Sequence, residues 1–397
     1  MNPKYRQQFN DNFTTEKYDN FIDDITSDFD YKVTFRIGET PFFIPNDLKN
    51  QLLEASQEVI SFIQKEGFNE LTNKALELNR KVPNQDNHTT FLAIDFGICE
   101  EDGKIIPKLI EVQGFPSLYN FQNNLAAKFQ KHYPFLYDLT PFFNGLSKEE
   151  YLQIVEEAIC NNHPVENVVL LEIEPEKQNT KIDFYYCKRD LGVETVCVTD
   201  IIKKGNQLFY TNSKGKEILI KRIYNRVIFD ELDLRTDLKL NFDFSDDLDV
   251  EWAGHPNWFF RISKFILPYL KGKYFIETTL VSDLKEIPTD LENYVLKPLF
   301  SFSGTGVIFH VKPGDIEAVK EKDLYILQKK VNYKPVIQSP DGKVKAEVRL
   351  LAIWKKDAPS PTLVTNLVRL SRGEMIGVKF NKDKDWVGGT VGMFEKE

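Results

Sequence analysis

The sequence has little of what usually marks covalent, redox or metal chemistry. Its four cysteines, Cys99, Cys160, Cys187 and Cys197, show no C-x-x-C spacing, which argues against a zinc knuckle, a dithiol redox motif and a disulfide framework. The five histidines, His88, His132, His163, His255 and His310, lie at no metal-ligand spacing. No apolar run approaches the roughly 18 residues of a membrane span, and the first twenty residues are polar and acidic, unlike a signal or transit peptide. A cytoplasmic protein with no membrane partner is expected. The net charge of -9 argues against nucleic acid, whose backbone calls for clustered Lys and Arg.

What is present is an ordinary globular composition, 42% hydrophobic and 28% charged over 397 residues, long enough for about two or three domains. Charge is unevenly placed. Residues 251 to 397 carry 23 Lys and Arg against 18 Asp and Glu, leaving 28 against 42 in the first 250. A basic part beside an acidic part suits a phosphate ligand held through metal ions, and equally suits solvated surfaces.

Two stretches carry chemistry. Tyr294 to Val307 reads as a strand that delivers Lys297, followed by Ser303-Gly304-Thr305-Gly306. Residues this small let consecutive backbone N–H groups close around an anion, although a Gly-x-Gly beside a strand is also an ordinary turn. The second stretch, Phe91 to Ile98 and Lys104 to Gln113, reads as a β-hairpin with one apolar face and one small, acidic face holding Asp95, Glu111 and Gln113. For Asp95 to oppose Glu111 the loop must contain an odd number of residues, so a three- or five-residue turn around Asp102 and Gly103 is expected. Facing carboxylates repel unless a proton or cation lies between them, and Mg²⁺ commonly takes one or two carboxylates plus phosphate oxygens.

Elsewhere the patterning gives a polar N-terminal arm over 1–30, a strand over Tyr31 to Ile37 and a helix over Asn46 to Lys65. A helical stretch from Phe115 to Tyr137 and a capped helix from Leu146 to Cys160 follow. Val168 to Arg226 alternates like a small α/β unit, Asp230 to Glu251 reads as a connecting loop, and Asn257 to Leu270 as a helix bearing Lys264. Strands are expected over Tyr325 to Val331, Val344 to Trp354, and through Asn366 and Arg369.

These pieces resemble the ATP-grasp enzymes, mostly ATP-dependent carboxylate-amine ligases. Lys264, Val295-Leu296-Lys297-Pro298, Gly304-Thr305-Gly306 and Ile326 to Val331 match the early parts of the family pattern, while its acidic pair lies upstream in Ile94-Asp95-Phe96 and Ile110-Glu111-Val112-Gln113. That order is similar to the circularly permuted group that includes glutathionylspermidine synthase. The resemblance implies an α/β (α+β) protein with a circularly permuted ATP-grasp fold and an additional small α/β domain. The metal-bearing core would span 31–145, the small domain 146–240 and the nucleotide clamp 250–397.

It also implies ATP and Mg²⁺ as cofactors, with small-molecule or peptide carboxylate and amine substrates joined through an acyl phosphate. Lys264 and Lys297 would contact the phosphates, and Ser303, Gly304, Thr305 and Gly306 would cover them. Gln328, Lys329, Lys330 and Val331 would form the hinge strand that offers main-chain groups to adenine, and Asp95, Glu111 and Gln113 would hold Mg²⁺. Lys297 and Arg349 would act on the transferred phosphoryl group.

The chain departs from the pattern in three places. Gln113 stands where the family usually has Asn, no acidic residue lies between Asn332 and Pro340 to hold the ribose, and Ala93 stands where glutathionylspermidine synthase has an arginine. A kinase on the same clamp, or a nucleotide-binding module without turnover, is the alternative.

Overall fold

The N-terminal residues, expected to form a loosely docked arm, make two anchored helices in the computed structural model. This structure describes residues 1–78, 80–301, 304–340, 342–373, 376, 381 and 383–396. Helices α1 (Pro3–Asn12) and α2 (Thr15–Ser27) are capped by the Asn2 and Thr14 side chains. They bury Phe9, Phe21 and Ile25 almost completely. Lys128, Lys131 and His132 then surround Asp24 of α2.

Tyr31 to Ile37, expected to be a strand, bends at Thr34 and Phe35 and bridges only at Ile37, with Gly389. Its flank is α2, whose Tyr18 hydroxyl donates to the Ile37 carbonyl, and a helix offers no backbone ladder. Next come the two-residue strand β1 (Phe42–Phe43), α3 (Asn46–Ile63) and α4 (Phe68–Glu77).

The hairpin is β2 (Phe91–Glu101) and β3 (Lys104–Gln113). After it come α5 (Tyr119–His132), β4 (Leu139–Thr140) and α6 (Lys148–Cys160), which Ser147 and Glu150 start with a capping box. The small α/β unit follows as β5 (Val168–Glu172), α7 (Lys181–Leu191), β6 (Glu194–Cys197), β7 (Ile202–Lys204), β8 (Gln207–Thr211), β9 (Glu217–Ile220), β10 (Arg222–Asn225) and β11 (Glu251–Ala253). Here β6, β5, β10 and β11 lie side by side, all parallel, with β7, β8 and β9 as an antiparallel appendage. Because β11 pairs with β10, this unit reaches past the expected boundary at 240.

A small lobe is built from β12 (Thr278–Leu280), β13 (Tyr294–Pro298) and β14 (Tyr325–Lys329), with β14 in the middle. It has its own core of Val281, Leu291, Leu296, Val311, Ile316 and Leu327. Strands β15 (Ile337–Ser339), β16 (Gly342–Ile353), β17 (Thr362–Ser371) and β18 (Gly388–Thr390) then return the chain to the main body.

The central sheet runs β18-β17-β16-β2-β3, with β15 paired to β16. Finally β19 (Gly392–Glu395) inserts between β1 and β4. Among the described residues no helix is long and apolar enough to cross a membrane.

Candidate active site

The hairpin turns through only two residues, Asp102 and Gly103, at φ 49° and 75°. Both values are positive, as a type I′ turn requires and as Asp-Gly favours. The expected three- or five-residue turn is therefore wrong, yet Asp95 does face Glu111. The register shifts between Asp95 and Phe96, where Ile110 bulges out of β3, so that Phe96 pairs with Leu109 while Asp95 pairs with Glu111. The extra residue turns Glu111 and Gln113 onto the face of Asp95.

On the other side of β2, β16 sets Arg349 opposite Asp95, and β17 sets Arg369 opposite Glu347. Asp95 is 1% exposed. Its Oδ1 accepts from Arg349 Nε at 2.5 Å, and its Oδ2 accepts from Arg349 Nη2 at 2.7 Å and from Arg369 Nη2. Arg369 Nη2 also donates to Glu347 Oε1, and the Tyr333 hydroxyl donates to Glu347 Oε2 at 3.0 Å. A Cβ on Gly97 would lie 2.7 Å from the Tyr333 ring, so a glycine is what lets this tyrosine lie against the sheet. Burial raises the Glu347 carboxyl against the pull of Arg369, whereas Glu347 and Asp95 hold the Arg369 guanidinium more firmly protonated.

The lysines come from the other half of the chain. The helix expected over Asn257 to Leu270 breaks after Arg261, and Lys264 opens a separate 3₁₀ turn. The Gly114 N–H, at the end of β3, takes the Ile262 carbonyl at 2.8 Å, an acceptor that a continuous helix would have used itself. Lys264 Nζ thereby reaches Glu111 Oε1 at 2.9 Å and the Ser301 carbonyl at 2.8 Å.

Lys297, on β13, donates to Gln328 Oε1 at 2.6 Å, and Gln328 Nε2 donates to Thr278 Oγ1 at 3.1 Å. Burial pushes the Lys297 ammonium down to about 8 although Glu111 pulls the other way. Burial would raise the Glu111 carboxyl, but Lys264, with Arg349 and Lys297 behind it, brings it down to about 2. Residues more than 150 positions apart thus form one charged cluster of Lys264, Lys297, Arg349 and Arg369 with Asp95, Glu111 and Glu347.

The loop after Lys297 is exposed at Gly304, Thr305 and Gly306, and both glycines sit at φ above 70°. Ser303 lies outside the described residues. The expected hinge strand is β14. Gln328 lies in the middle strand of its sheet, paired with Thr278 and Val295, and the Lys329 and Lys330 N–H groups bond to the Glu277 and Asn293 carbonyls. These two main-chain donors are engaged inside the lobe. Val331 falls beyond β14, just before Asn332 and Lys334 join the end of β2 through Glu100 and Ile98.

The metal expectation divides. Glu111 is ionised, and Gln113 Oε1, two residues along the same strand, is buried without a hydrogen-bond partner among the described residues. A carboxylate and an orphaned amide oxygen fit Mg²⁺, which keeps most of its waters and takes few protein ligands. Asp95 does not fit, because both its oxygens hold arginines. Among the described residues no group of three or more His, Cys, Asp or Glu is arranged for a metal. Concavities of about 410 Å³ beside Glu194 and Tyr210, and of about 530 Å³ between α2 and residues 32–37, carry no comparable convergence of charge.

The chain matches no family model and no curated protein sequence. Among solved structures it resembles a glutathione synthetase-like effector from Globodera pallida in its apo form, with TM-score 0.58 and 10% identity over 96% of each chain. The two proteins share a fold. A candidate gamma-glutamylcysteine synthetase from Methylobacillus flagellatus aligns over 90% of each chain at 12% identity with TM-score 0.39.

Sequence reasoning missed Glu347, Arg369 and Tyr333 as site residues. Glu347, two residues before Arg349, lies on the same face of β16 by strand alternation, but the roles of Arg369 and Tyr333 depend on sheet order, which no local pattern encodes.

Proposed function

We propose that the chain is an ATP- and Mg²⁺-dependent ligase that joins a carboxylate to an amine through an acyl phosphate. The observation that carries this reading is the contact of Lys264 with Glu111, which sets a lysine from the second half of the chain against the acidic hairpin. The fold shared with a glutathione synthetase-like protein supports it, as does the resemblance of the Lys297 strand and glycine loop to an ATP-grasp clamp.

On this reading Lys264 and Lys297 neutralise the phosphates, and Lys264 exchanges Glu111 for a phosphate oxygen. Glu111 and Gln113 would hold Mg²⁺, whose contribution when bound is to polarise the β and γ oxygens. Arg349, fixed in plane by Asp95 and by Ser117 Oγ at 2.9 Å, would supply a buried positive charge beside Glu111. A substrate carboxylate oxygen attacks the γ-phosphorus and the bond to ADP breaks. The amine nitrogen then attacks the acyl carbon, inorganic phosphate leaves, and the amine gives up a proton. No protein nucleophile is needed.

Release of ADP and phosphate that requires both a carboxylate and an amine is the expected result. Hydrolysis indifferent to both, across broad substrate pools, refutes the ligase reading. A nucleotide-binding module without turnover is favoured by one observation, the replacement of the family's usual Asn by the longer Gln113. It is distinguished by calorimetric ATP binding with no product.

A further inference from the structure

We propose that Arg369 occupies the place of a divalent cation between Asp95 and Glu347, so that this acidic pair takes no metal and the site holds at most one divalent ion, at Glu111 and Gln113. The inference rests on the metal assignment above and goes beyond it. A single nitrogen, Nη2, donates both to Asp95 Oδ2 and to Glu347 Oε1, two carboxylates that belong to different strands. Bridging one oxygen from each of two acids is what a shared Mg²⁺ would do. The remaining oxygens are also taken, Asp95 Oδ1 by Arg349 and Glu347 Oε2 by Tyr333.

The position of Arg369 is built. β17 places it directly opposite Glu347, and Asp95 and Glu347 are 1% and 4% exposed. A Mg²⁺ entering here would have to displace a guanidinium from a buried pair and then sit beside it, with like charges in contact. A guanidinium also differs from a metal in kind. It brings one permanent charge in place of two, does not dissociate, and offers directed N–H donors in place of exchangeable waters.

The full chain titrated with Mn²⁺, free ion read by electron paramagnetic resonance, with and without ADP, tests the proposal. Arg369→Met should bind one more Mn²⁺ than the natural chain. Its melting temperature should fall in EDTA and recover with Mn²⁺, whereas the natural chain should show no such dependence at this pair. Should that variant fail to fold, Glu347→Gln serves instead and should leave the Mn²⁺ count unchanged. The proposal is overturned if the natural chain binds two Mn²⁺, if Arg369→Met gains none, or if Glu347→Gln loses one. Absence of ADP binding would refute the nucleotide reading, while the difference in Mn²⁺ count between chains would still report on Arg369.

Discussion

Replacing Lys297 by Met should leave the protein more stable than the natural one at neutral pH while disabling anion binding. The ammonium is enclosed, and its pKa falls from 10.5 to about 8. Because the unfolded chain keeps its proton up to the higher value, the natural protein forfeits stability below pH 8 and recovers it as pH rises from 8 to 10.5. The full depression corresponds to about 3 kcal/mol, and partial exposure of the side chain reduces this to about 2 kcal/mol.

Removing the amine also leaves Gln328 Oε1 without its donor at 2.6 Å, a loss of about 1 kcal/mol. The variant should therefore be about 1 kcal/mol more stable at pH 7 and about 1 kcal/mol less stable above pH 10, with the curves crossing between. Urea denaturation at pH 7, 8.5 and 10 reads this directly, and calorimetry at pH 7 should show ATP binding weakened at least tenfold. Parallel stability curves would refute the argument that burial of charge dominates at this lysine. Unchanged ATP affinity would remove Lys297 from the site.

Asp95→Asn strips Arg349 and Arg369 of their shared partner and should lower unfolding free energy by about 3 kcal/mol or more, seen as a shifted urea midpoint with unchanged slope. Glu172 at the end of β5 is 3% exposed, and burial pushes its carboxyl up to about 8 against the pull of Arg226. Its stabilising contribution is complete below the ordinary carboxylate value and is lost as pH rises through about 8. Glu172→Gln should therefore flatten the decline of stability between pH 5 and 9, on the order of 4 kcal/mol across that window. Gly97→Ala would push against the Tyr333 ring and should cost about 1 to 3 kcal/mol in urea denaturation, with Tyr333 displaced from Glu347 in ultraviolet difference spectra.

The parts of the site legible in the sequence are those set by local periodicity. Strand alternation placed Asp95, Glu111 and Gln113 on one face, put Lys297 on a strand before a glycine turn, and set Glu347 and Arg349 side by side. The two-residue turn is not legible because the bulge at Ile110 has no signature, as Leu109-Ile110-Glu111 continues the strand composition without a glycine. The break after Arg261 frees the Ile262 carbonyl, which the Gly114 N–H, far away in sequence, takes. Asp95 looked like a metal ligand until sheet order brought Arg349 and Arg369 onto it. A carboxylate is equally ready for a metal or for a guanidinium, and only its neighbours across the sheet decide.

The order of the central sheet has a consequence for synthesis. The hairpin at 91–113 pairs with β16, at 342–353, which in turn pairs with β17, at 362–371. At ordinary translation rates, β2 therefore waits about 10 to 50 seconds for the strand that will cover its free edge. During that time Asp95 has neither arginine, and a long apolar strand edge is open to wrong pairing. Nascent chains stalled before residue 342 should recruit chaperones and resist compaction, while chains extended beyond 371 collapse into the protease-resistant form. Asp95 is thus paired only once the arginines from the far end of the chain have emerged.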